Sequence, residues 1–98
     1  MSAEPPCGSL ADEIRPAAQA AAARHRPKGF SAEVTPQGPD AARVVVRYCW
    51  SSSPRFEVRA EVIIAADEVA EAIRALGSFR ISPFDYLADH ECVFTVTR

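Results

Sequence analysis

A chain of 98 residues, 48% hydrophobic and 24% charged, carries enough apolar side chains for one core. At this length folding buries roughly 60 to 70% of the surface the unfolded chain exposes, which excludes wholesale disorder. A formal net charge of −2 argues against nucleic-acid binding by bulk positive charge, and no apolar run approaches the roughly 20 residues a membrane helix needs, so a soluble cytoplasmic protein is expected.

Residues 1–8, with Pro5, Pro6 and Gly8, read as a flexible leader, and 9–98 as a single domain. Ser9-Leu10-Ala11-Asp12 is an N-cap followed three residues later by an acid, which opens a helix. Pro16 either kinks that helix or starts the main one, and residues 17–26 are helix-prone up to Pro27. Leu10 and Ile14, four apart, are its anchors; the alanines that follow suit a close cover for a sheet.

Residues 30–35 alternate, with Phe30, Ala32 and Val34 on one side, and Pro36-Gln37-Gly38-Pro39-Asp40 is a turn. Residues 43–50 and 55–64 also alternate and read as a β-hairpin closed by Ser51, Ser52 and Ser53. Placing Tyr48 opposite Phe56 sets Arg47 against Glu57 and Arg43 against Glu61, two favourable charge pairs. From Ala66 the period changes to 3.6: Val69, Ile73 and Leu76 share a face, and Gly77 stands where a left-handed helix terminator belongs. Cys92, Phe94 and Val96 alternate with Val93, Thr95 and Thr97 in a last strand. The expected fold is α+β, a two-layer sandwich of a mainly antiparallel four-stranded sheet with two helices on one face, in the order α-β-β-β-α-β.

The connection over 79–91 is too apolar for a solvated loop. Phe79, Ile81, Phe84 and Leu87 can tuck under the sheet edge, or Phe84 and Tyr86 can anchor a partner with Asp85, Asp89 and Glu91 as an acidic rim. The one basic run is Arg24-His25-Arg26-Pro27-Lys28; its cations suit a helix C-terminus, or with hairpin arginines such as Arg43, Arg47, Arg55 and Arg59 they can meet phosphate.

Cys7, Cys49 and Cys92 cannot all pair within one chain and form no CxxC unit, so reduced thiols are expected. His90 and Cys92 lie too far apart for a nucleophile and its base, and the paired spacings of a zinc site are absent. No glycine-rich phosphate loop, GxSxG or HExxH occurs, so neither catalysis nor a cofactor is expected.

The helix-strand-strand-strand-helix order, with Pro54-Arg55-Phe56-Glu57-Val58 opening the third strand, resembles the double-stranded-RNA-binding domain. That family reads RNA with a lysine-rich start to its second helix and a histidine between its strands. Here the matching segments are Ala66-Asp67-Glu68, which is acidic, and Gly38-Pro39-Asp40-Ala41, which has no histidine.

The function expected from these features is a non-enzymatic protein-binding module, a small adaptor, inhibitor or immunity-type protein, acting through the aromatic and acidic residues of 84–91 on a partner with a basic surface. The alternative is a nucleic-acid-binding domain using Arg24, Arg26, Lys28, Arg47 and Arg59; a small ligand-binding protein or enzyme is third. An exposed edge, especially 92–97, also invites homodimerisation. Eighteen alanines beside many arginines and prolines suggest a GC-rich genome, bacterial or phage.

Overall fold

The computed structural model describes residues 9–26, 28–49 and 55–98. These form α1 (Leu10–Arg24), β1 (Phe30–Pro36), β2 (Ala41–Tyr48), α2 (Arg55–Arg74), β3 (Arg80–Ile81), β4 (Asp85–Ala88) and β5 (Glu91–Thr97). Every strand pairing is antiparallel, in the order β1-β2-β5-β3 with β4 also on β5. Both helices cover one face of this sheet, so the α+β class and its two layers are as the patterning implies.

The N-cap of α1 is Ser9, whose hydroxyl accepts from the Asp12 N–H at 3.2 Å. Leu10, Ile14, Ala18, Ala21 and Ala22 form the buried strip, spaced by four, four, three and one. Pro16 sits inside α1 and does not start it. The carbonyl that its missing N–H leaves unbonded belongs to Asp12; both residues are exposed, so water can satisfy that oxygen.

Residues 55–64 are helical, not a strand, and this is the main correction to the sequence reading. The buried positions of α2 are Val58, Val62, Ala65, Ala66, Val69, Ala70 and Ile73, a helical stripe, whereas Ile64 is 47% exposed and Ala60 also faces water. Val58 and Val62 fit both periods, because four residues are two strand repeats and about one helical turn. Only the helix carries the stripe on to Ile73, and the alanines, glutamates and arginines of the segment favour it. The hairpin register falls with the strand: Tyr48 pairs with Phe30, Arg43 with Thr35 and Thr95, and Arg47 with Ser31 and Glu91. The resemblance to the RNA-binding domain loses its third strand as well, and the serine loop lies outside the described residues.

The end of α2 also differs. Leu76 N–H donates to Ile73 O at 3.0 Å and Gly77 N–H to Arg74 O at 3.3 Å, so a tight last turn replaces a left-handed Gly77. Leu76 is exposed rather than a third anchor. Positive φ occurs instead at Gly29 and Gly38, which lead into β1 and turn the chain towards β2.

Phe30, Ala32 and Val34 of β1, Ala42, Val44, Val46 and Tyr48 of β2, and Cys92, Phe94 and Val96 of β5 point to the helices. The odd-numbered residues between them point to the other face, where Val45 is buried and Arg47, Glu91, Val93 and Thr95 are half-buried. β5 lies inside the sheet, not at an edge, because the two short strands β3 and β4 flank it on the side away from β2. One true edge is β1. The bonds from Cys49 N–H to Gly29 O and from Gln37 N–H to Ala41 O direct odd-numbered backbone groups of β1 to β2, which turns those of Phe30, Ala32 and Val34 outward. That edge is guarded: Arg15 Nη2 donates to Val34 O at 3.1 Å, and Pro36 has no N–H.

Candidate functional site

The segment 79–91 divides between core and surface. Phe79, Ile81 and Phe84 are partly buried against the core, and the Phe84 ring lies 5.1 Å from Phe94. Ser82 fixes this segment to β5: its N–H donates to Thr95 O at 2.9 Å and its hydroxyl accepts from Thr95 N–H at 2.8 Å. Three of the four residues able to tuck under the sheet therefore do so. Leu87 does not; it is 49% exposed.

What remains on the surface is β4 and the turn after it, with Asp85 and Tyr86 turned to opposite faces of the sheet. Tyr86 is 39% exposed beside Leu87, and Asp85 and Asp89 are exposed on either side. Among the described residues neither aspartate has an ion-pair partner. Tyr86 stands opposite Cys92 in the ladder, so it projects to the helix side and meets the start of α2. There its hydroxyl donates to Arg59 O at 3.3 Å, and the Arg59 guanidinium lies 4.3 Å from the ring centroid. A cation over an exposed aromatic face is worth about 0.5 to 1 kcal/mol. Both contacts restrain the ring against α2.

Two of the expected site residues neutralise each other. Arg47 Nε donates to Glu91 in a short ion pair across β2 and β5, and Arg47 also approaches Glu33 at 3.8 Å. Glu91 raises the pKa of Arg47 by that hydrogen bond. Glu91 of the expected acidic rim and Arg47 of the expected basic set are thus partners of each other. Of the other cations, Arg59 lies over Tyr86, and Arg24, Arg26 and Lys28 are exposed around the end of α1.

The cysteine and histidine near β5 also separate. Cys92 is buried on the helix side, and burial, then the nearby Asp85 charge, push its thiol up to about 11. It is therefore a protonated core residue at neutral pH. His90 is exposed in the turn, and Cys49 is exposed near Ser31. Among the described residues no three His, Cys, Asp or Glu side chains are grouped to hold a metal ion, and no helix is long and apolar enough to cross a membrane.

One polar cluster escaped sequence reading. His25, 5% exposed, lies between two carboxylates of α2: Nδ1 is 2.9 Å from Glu68 and Nε2 is 2.9 Å from Glu61. Its ring stands edge-on to Phe30 at 4.9 Å, and Phe30 stacks on Tyr48 at 4.6 Å. The seven-residue spacing of Glu61 and Glu68 signals a shared helix face, but only once 55–74 is known to be helical.

The chain matches no family model, and no curated protein and no solved structure is found to be similar to it.

Proposed function

We propose that this chain is a protein-binding module of adaptor or inhibitor type, and that Asp85, Tyr86, Leu87 and Asp89 form its contact surface. The observation that carries this reading is the pairing of an exposed aromatic and an exposed leucine on one edge strand, flanked by two aspartates without ion pairs among the described residues. Surface aromatics in rigid settings are favoured interface anchors, and restraint of the ring by Arg59 lowers the ordering cost on association. The aspartates favour a partner that presents lysine or arginine, so association should weaken as salt rises.

Phe84 is a support for the strip, since it packs on Phe94, and is unsuitable for testing contact. The test is differential capture from nuclease-treated lysate on immobilised wild type and a Tyr86→Ala/Leu87→Ser variant with unchanged circular dichroism. A protein retained by the wild type and lost by the variant supports the reading. Equal retention by both removes the strip. Capture seen from untreated lysate and absent from the nuclease-treated one points instead to nucleic acid held by Arg24, Arg26 and Lys28.

A further inference from the structure

We infer that His25, Glu61 and Glu68 form a proton-operated clamp, which holds the C-terminal end of α1 against α2 while the imidazole is doubly protonated and loosens when it loses a proton. The inference stands apart from the binding strip. Its basis is a matching of donors to acceptors. Each ring nitrogen faces a carboxylate oxygen at 2.9 Å, and carboxylates are acceptors only, so both contacts are hydrogen bonds only if both nitrogens carry hydrogen. A neutral imidazole has one N–H. Its other nitrogen would direct a lone pair at a carboxylate oxygen inside a buried site, and that carboxylate must then turn to water, leaving the nitrogen without a partner.

The surroundings favour the charged form. Burial, the largest single influence, lowers the His25 pKa, but the hydrogen bonds from Glu68 and then Glu61, with their charges, outweigh it and the net shift is upward. No other element contributes a charged group to the ring among the described residues: β1 offers Phe30, β2 offers Tyr48 behind it, and the flanking Arg24 and Arg26 are exposed. Because the folded pKa exceeds the unfolded value near 6.5, the clamp's stabilisation is complete below about pH 6.5 and is lost as pH rises through the folded pKa.

The clamp joins three elements. The His25 N–H caps α1 by donating to Ala22 O at 3.3 Å, the ring abuts the first residue of β1, and Glu61 lies two residues beyond Arg59 on α2. Deprotonation should therefore loosen the last turn of α1 while its first turn, capped by Ser9, stays closed.

Nitrogen-15 NMR of the His25 ring, recorded from roughly pH 5.5 to 8.5, tests this on the wild-type chain. The expected result is two protonated ring nitrogens at about pH 6 and a midpoint above the ordinary value of about 6.5. Glu68→Gln keeps a hydrogen-bond acceptor but removes one charge, and should lower that midpoint. Amide exchange at the last turn of α1 should accelerate relative to the first turn above the midpoint. A single protonated nitrogen at about pH 6, a midpoint unmoved by Glu68→Gln, or parallel exchange of both turns across the titration would each overturn the clamp.

Discussion

Replacing Val62 and Ile64 one at a time by alanine separates a helix over 55–64 from a strand. In a strand the two side chains share a face and should cost about the same; in α2 Val62 is fully buried and Ile64 is 47% exposed. Val62→Ala removes two methyl-sized groups, worth about 1.6 kcal/mol at about 0.8 each, and the cavity left behind raises the loss to about 2 to 3 kcal/mol. Ile64→Ala removes atoms already half in water and adds a better helix former, so its effect should stay within about 0.5 kcal/mol. Urea unfolding followed by circular dichroism reads the difference. For a small domain with a slope of about 1 kcal/mol per molar, Val62→Ala should lower the midpoint by about 2 to 3 M and leave that of Ile64→Ala within about 0.5 M of the wild type. Equal losses at the two positions would refute the helical assignment and the packing built on it.

The ion pair between Arg47 and Glu91 is partly exposed, so alanine at either position should lower the urea midpoint only slightly, and the double mutant should lose less than the two single losses combined. Arg15→Ala should barely change stability but uncover the Val34 carbonyl; concentration-dependent association in sedimentation velocity, absent from the wild type, is the expected outcome. Retention of the wild-type sedimentation profile would show that Arg15 does not guard the edge.

The strands β1, β2 and β5 were legible because each buries one face only, and the alternation of Phe30, Ala32 and Val34, or of Cys92, Phe94 and Val96, has no competing period. The start of α1 was legible from Ser9 and its acid at Asp12. The first half of α2 was not, since Val58 and Val62 serve both periods and the deciding positions, Ala65, Ala66 and Ala70, are small residues whose burial carries little pattern.

The strands β3 and β4 have two and four residues, interrupted by Ser82 and Pro83, too short for a period to show. For the site, the sequence located the apolar acidic segment but not its division. Whether Phe84 is core and Tyr86 surface depends on their neighbours, Phe94 and Arg59, which are ten and 27 residues away in the chain. The His25 cluster spans 36 and 43 residues and requires the packing of α1 on α2.

The central claim is that the β4 strip is a contact surface. Titration of a purified partner, identified by the differential capture, against wild type and Tyr86→Ala/Leu87→Ser measures it most directly. Loss of an anchor worth about 2 kcal/mol raises Kd about 30-fold, and Kd should rise further as salt is added. A Kd within about twofold of the wild type, in a variant that unfolds at the same urea midpoint, would contradict the account.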